Sequence, residues 1–250
     1  MVLLVGILNI TPDSFSDGGI YDGADRALAR AEQLFADGAC IVDVGAESTR
    51  PGAIPLSASK EWGRLQPILP YLIHKHPGEI SLDTYHADTA AQALLIGSDV
   101  IINDISGLQD DAMYQLIVDK KPRVIVGSLP APDAQAAHHG KLVDNIQEVI
   151  DDLTVKYDRL VADGVPAENI TLDPCIGFGK TRRLNWQLLE IAKYLPGKRV
   201  MIGYSRKRFL GENRLELSSN LHAADIAARS GATYLRVHDV AGHAEHFRLS

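Results

Sequence analysis

Short apolar runs that end in polar residues alternate along the whole chain with longer stretches whose apolar positions recur at helical spacing. The runs are VLLVGILN (2–9), CIVDVG (40–45), ISLDT (80–84), DVIIND (99–104), RVIVGS (123–128), ITLD (170–173), RVMIGYS (199–205) and TYLRVHD (233–239). They are rich in Val, Ile and Leu and mostly do not alternate, which predicts strands buried on both faces of a parallel sheet. Between them, Ala24, Ala27, Leu28, Ala31, Leu34 and Phe35 predict an amphipathic helix over 24–35, stopped at Gly38. Ile146, Val149, Ile150, Leu153, Tyr157, Leu160 and Val161 predict another over 146–161, followed by Gly164. Weaker helical patterns cover 57–75, 86–96, 110–119, 184–194, 219–230 and 240–249. Eight strands, each followed by a helix, predict one α/β domain over 1–250, a (β/α)8 TIM barrel. A doubly wound open sheet shares the alternation, but it has fewer strands and a glycine-rich dinucleotide turn that is missing here.

Composition narrows the class without changing the fold. The 250 residues are 46% hydrophobic and 23% charged, ordinary for a globular protein. A net charge of −7 argues against general nucleic-acid or anionic-membrane binding, so any anion site is a local cluster. Cys40 and Cys175 form no disulfide framework or zinc spacing and suit a reducing cytoplasm. The apolar start lacks a basic n-region and a cleavage site, so it reads as a strand. No run reaches the length of a membrane span.

In a barrel of this kind, chemistry sits at the C-terminal ends of the strands. Those ends carry Asn9, Asp43 with the loop GAESTRPGA, Asp83, Asn103, Gly127-Ser128, Asp173, Ser205, and Arg236 with His238. Any one of them could be a turn or cap residue; together they form a pattern. Arg50, Lys180, Arg182, Arg183, Arg206, Lys207, Arg208, Arg236 and His238 concentrate positive charge at the same end of an acidic chain. That implies an anionic ligand, with phosphate favoured. Asp83, Asn103 and Asp173 suit a heterocycle rich in N–H donors, such as a pterin or purine. The ligand therefore reads as a donor-rich ring joined to a phosphate.

Other motifs fail. GFGKT (177–181) lacks the leading glycine of a phosphate loop, because Pro174 occupies that place. No G-x-S-x-G is present. His138-His139 and His74-x-His76 have no ligand partners at metal-site spacing and read as solvent-exposed or helix-end histidines.

The stretches GILNITPDSFSDGG (6–19), DVGAESTRPGA (43–53), ISLDT (80–84), IINDISG (101–107), LDPCIGFGK (172–180), GYSRK (203–207) and RVHDV (236–240) resemble those of the dihydropteroate synthases, in that family's order. The resemblance implies a (β/α)8 barrel that joins 6-hydroxymethyl-7,8-dihydropterin diphosphate to 4-aminobenzoate, releasing pyrophosphate, and that is a target of sulfonamides. It implies that Asp83, Asn103, Asp173 and Lys207 bind the pterin. Arg236 and His238, with Asn9 through Mg2+, would hold the diphosphate. Thr49, Arg50, Pro51, Phe178 and Ser205 would border the aminobenzoate site. Asp83, Lys207, Arg236 and His238 are the catalytic candidates, acting by electrostatics and positioning without a nucleophilic side chain.

The chain departs from the family pattern in places. Gly127 stands where the family commonly has a histidine lining the pterin pocket, which would reduce affinity or activity. Cys175 replaces the usual glycine of DPG and reads as packing. The termini are short, leaving a homodimer and fusion to another folate enzyme both open. The segment 10–21, with Asp13, Asp17 and Gly18-Gly19, is long for a βα connection and reads as a lid. A non-catalytic pterin-binding paralogue and the pterin-binding barrel of folate-to-corrinoid methyltransferases are the alternatives. The second has no diphosphate to grip, so Arg50, Lys207, Arg236 and His238 count against it.

Overall fold

A computed structural model describes residues 2–10, 20–49 and 52–248. Asp13, Asp17, Gly18 and Gly19 of the proposed lid, together with Arg50 and Pro51, lie outside the described residues. The strands are β1 (Leu3–Asn9), β2 (Ile41–Gly45), β3 (Ile80–Asp83), β4 (Ile101–Asp104), β5 (Val124–Gly127), β6 (Ile170–Asp173), β7 (Arg199–Ile202) and β8 (Tyr234–Val237). All pairings are parallel, and β1 closes on β8 to complete the barrel. The helices are α1 (Ile20–Ala36), α2 (Ala58–Leu65), α3 (Leu69–Lys75), α4 (Ala87–Ile96), α5 (Asp111–Lys120), α6 (Ala134–His139), α7 (Ile146–Ala162), α8 (Arg182–Leu188), α9 (Leu217–Arg229) and α10 (Val240–Phe247).

The expected helix over 57–75 is two helices, α2 and α3. Pro70 opens the second at its first turn, where a missing N–H costs nothing. The expected helix over 184–194 ends at Leu188 and tightens into a 3-10 turn over Ile191–Tyr194. Helix α6 was not expected at all. It has only six residues, too few to show a period, and is set by its caps: Asp133 accepts from the Ala136 N–H, and Gly140 closes the end. None of the described helices is long and apolar enough to cross a membrane.

Strand periodicity sorts the residues of the barrel interior into layers. Val5, Ile41, Ile101, Ile125 and Met201 pack together as an apolar floor, with Cys40 and Tyr234 against them. Side chains two residues on share the same face of each strand, so the next layer up carries Ile7, Asp43, Asn103, Gly127 and Arg236. The register places Asp83 beside Asn103, and Gly127 beside Asp173. The outer faces of the strands are apolar and merge with the inward stripes of the helices in a second, larger core. A rigid apolar ring thus supports a polar layer at the strand ends.

Candidate active site

The centre of the polar layer is an ion-paired network. Asp43 is fully buried and takes hydrogen bonds from Asn103 Nδ2 at 3.1 and 3.2 Å and from Arg236 Nε at 2.6 Å. The other face of the same guanidinium donates from NH2 to Asp83 Oδ2 at 2.6 Å. One arginine therefore bridges the ends of β2 and β3 from β8. Burial would weaken its charge, but the carboxylates of Asp43 and Asp83 hold its pKa above the usual arginine value. Asp83 keeps some exposure at the mouth, yet desolvation is its larger effect and raises its carboxyl to about 7. Arg236 pulls against that rise, while Asp43, Glu61 and Asp173 add to it.

A second group lies around β6. Asp173 Oδ1 accepts from the Cys175 N–H at 2.7 Å. Desolvation raises the Asp173 pKa, and the Lys207 ammonium is the main opposing influence. Lys207 Nζ donates to the Ile176 carbonyl at 2.6 Å and stands 5.1 Å from the centre of the Phe178 ring, a cation–π distance. Burial lowers its pKa, opposed first by Asp173. Lys207 thus stands over Phe178 and acts through its charge on Asp173, the residues expected to face the aminobenzoate and the pterin. Ser205 Oγ accepts from the His238 backbone N–H at 3.3 Å and lies 3.0 Å from His238 Nδ1, which brings together two residues expected at different subsites.

The broad basic cluster contracts. Lys180 is buried, and its ammonium donates to the carbonyls of Ser128, Cys175 and Phe178 at 2.8, 3.3 and 3.1 Å. It ties the loop after β6 to the end of β5, and desolvation lowers its pKa to about 8. Arg182 donates to the Phe209 carbonyl, and Arg183 pairs with Asp144 on the surface. Arg206 and Arg208 are exposed. Sequence position at a strand end says nothing about where a long side chain turns, and these cations turn into loops or away. Among the described residues, Lys207, Arg236 and His238 remain at the site.

Two site residues were missed as such. Asp43 stood at a strand end without a role, and its two partners now define one. His138 does end a helix, as expected, and its neighbour His139 is exposed; His138 is half-buried and reaches Thr49 and Phe178. The contact crosses 89 residues of chain, so no local signal announces it.

Residues 5–238 match the family described as pterin binding enzyme. The dihydropteroate synthase of Bacillus subtilis (strain 168) is 38% identical over 249 residues, covering 95% of this chain and 84% of that one. The chain belongs to the dihydropteroate synthase family. Dihydropteroate synthase is a transferase of folate biosynthesis, and the reaction joins the pterin diphosphate to 4-aminobenzoate with loss of pyrophosphate. The dihydropteroate synthase of Xanthomonas albilineans, solved with 4-aminobenzoic acid, superposes with a TM-score of 0.87 at 32% identity, covering 99% of this chain and 91% of that one. That of Anaplasma phagocytophilum, with bound 6-hydroxymethylpterin-monophosphate, gives 0.84 at 32% identity, covering 99% and 97%.

At the end of β5, the absence of a side chain at Gly127 has a steric cause. A Cβ there would lie 2.3 Å from the Ile105 carbonyl oxygen and 2.8 Å from Cys175 Sγ. The Ile105 carbonyl and the thiol fill the space that a side chain at 127 would need. Cys175 is buried, and desolvation pushes its thiol up to about 12, so it packs and does not react. Gly127→Ala is expected to cost roughly 1–3 kcal/mol through overpacking. Denaturant unfolding checks this, and Cys175→Gly restores only part of the loss because the Ile105 contact stays.

Proposed function

We propose that the pterin ring binds among Asp83, Asn103, Asp173 and Lys207, and that Arg236 and His238 receive the diphosphate. The aminobenzoate lies against Thr49, Arg50, Pro51, Phe178 and Ser205. The observation that carries this placement is the Arg236 bridge between Asp43 and Asp83, with Lys207 beside Asp173. Carboxylates that accept from ring donors and cations that neutralise phosphate lie within one connected layer.

Among the described residues no group of three His, Cys, Asp or Glu could hold a metal. Mg2+ does not need one: it keeps several waters and is held by one or two protein oxygens plus substrate phosphates. The half-buried Asn9 at the end of β1 fits, since its amide offers a hard oxygen and makes no hydrogen bond among the described residues. When bound there, the ion would neutralise charge on the departing pyrophosphate.

The protein's own contribution is positioning and charge. As the C–O bond to pyrophosphate breaks, the electron pair leaves with the phosphate oxygens, and Arg236 and His238 stabilise it. Positive charge on the pterin methylene is opposed by Asp83 and Asp173. The neutral arylamine forms the C–N bond and then sheds its proton to solvent. With the proton passing to solvent, the step requires no general base. Pyrophosphate release that needs both substrates and Mg2+ tests the assignment; tight pterin diphosphate binding without release would overturn it.

Asp83 gives the site a pH dependence. Affinity for 6-hydroxymethylpterin, which carries no phosphate, is expected to rise with pH through about 7 as the carboxyl ionises. Arg236→Gln removes the cation that favours ionisation, so the same rise moves to higher pH. Fluorescence titration across the range reads both, and an unshifted rise in the variant would exclude Asp83 as the titrating group.

A further inference from the structure

The connection from β2 to α2 carries Arg50 and Pro51, and the residues on either side of that pair are held from outside the connection. At its base, Glu47 accepts from the Leu56 N–H at 3.0 Å and from the Tyr85 hydroxyl at 2.6 Å, which closes the loop on itself and on the end of β3. At its far end both holds come from α6. His138 Nε2 donates to the Thr49 carbonyl at 2.9 Å, and Gln135 Oε1 accepts from the Gly52 N–H at 3.0 Å. One bond thus falls on each side of the pair 50–51. Gln135 and His138 are three residues apart, so they leave one face of the helix together.

Helix α6 is also docked on the other wall. Ala134 and Ala137 pack in a small buried cluster with Leu129, Cys175 and Phe178. The His138 ring sits 5.4 Å from the Phe178 ring, tilted by 32°. Phe178 in turn carries the Lys207 ammonium over its face, and its backbone carbonyl is tied by Lys180. A continuous set of contacts therefore runs from Thr49 through His138 and Phe178 to Lys207.

We infer that Gln135 and His138 are positioning residues for the aminobenzoate, setting the spacing of Thr49 and Gly52 from Phe178. The inference rests on the subsite placement proposed above. Neither residue touches the reacting atoms; they act through the two walls. Among the described residues the pterin carboxylates bond to neither Gln135 nor His138: Asp83 is held by Arg236 and Asp173 by the Cys175 N–H, so loosening the loop leaves pterin binding intact.

The test separates the two substrates. His138→Phe keeps a ring against Phe178 but loses the donor, Gln135→Met loses the acceptor, and His138→Gln keeps an N–H near the Nε2 position. His138→Phe and Gln135→Met are each expected to raise the aminobenzoate KM about five- to tenfold, the loss of one hydrogen bond. The dissociation constant of the pterin diphosphate stays within about twofold. His138→Gln recovers most of the wild-type KM. Equal weakening of both substrates, or no change in the aminobenzoate KM, would overturn the inference. Turnover by the unaltered protein is the control: its absence overturns the functional reading, whereas an active parent with an unmoved KM overturns only the positioning role. Thermal unfolding of each variant separates a KM effect from a folding defect.

Discussion

Lys207→Ala is expected to lower kcat/KM for the pterin substrate by roughly 10²–10³-fold while the protein remains folded. Three effects combine at this side chain. Its ammonium is the main influence opposing the burial that raises the Asp173 pKa, so its removal disfavours the ionised carboxylate that the proposal sets against the ring. Its bond to the Ile176 carbonyl anchors the loop after β6. Its position over Phe178 joins the groups that the proposal assigns to the pterin and the aminobenzoate. The aliphatic stem also packs, since a Cβ on Gly177 would come within 3.1 Å of Lys207 Cδ. Lys207→Met keeps that stem and is the informative companion. Equal losses in both variants assign the effect to the charge, and a loss below tenfold in Lys207→Met would refute the electrostatic role. His238→Ala should cost less, because the proposed placement gives the diphosphate a second cation in Arg236.

Asp43→Asn is expected to damage stability and activity together. The carboxylate is fully buried and accepts from two donors at once, Asn103 Nδ2 and Arg236 Nε. An amide at 43 offers one oxygen and turns an NH2 group toward one of those donors. Breaking a buried pair costs about 3–5 kcal/mol, and the surviving Arg236–Asp83 contact holds the loss near the lower figure. For a chain of this size that lowers Tm by roughly 6–12 °C. The activity effect follows from geometry: Asn103 and Arg236 both lose the group that aims them, and kcat/KM falls about 10²-fold. Calorimetry and steady-state rates on Asp43→Asn and Lys207→Met check the contrast. The first moves both readouts, the second mainly the rate. An Asp43→Asn protein with wild-type Tm would show that the network is not a structural hub.

Much of this was legible in the chain because a parallel barrel writes itself plainly. Strands buried on both faces must be apolar runs, and their polar ends mark one rim, so Asp83, Asn103, Asp173, Lys207 and Arg236 could be collected before any coordinates. What the chain could not show was pairing. The acidic and basic themes read as two separate features, and the fold joins them: Arg236 crosses the mouth to reach Asp43 and Asp83, whose partners lie 193 and 153 residues away. Lys180 looked like a phosphate ligand because charge alone does not record burial; three backbone carbonyls now claim it. Helix α6 stayed hidden for a different reason. Its buried residues are alanines, too weakly apolar to mark a face in six positions, and His138 gains its meaning only from Thr49 and Phe178 across the mouth.

The central claim is that this one polar layer places a pterin diphosphate and 4-aminobenzoate for condensation. The most direct test is pyrophosphate release by the purified protein supplied with both substrates and Mg2+. The account predicts turnover that yields pyrophosphate and dihydropteroate in equal amounts and stops when either substrate is omitted or the metal is chelated. Tight binding of the pterin diphosphate with no pyrophosphate released would contradict it.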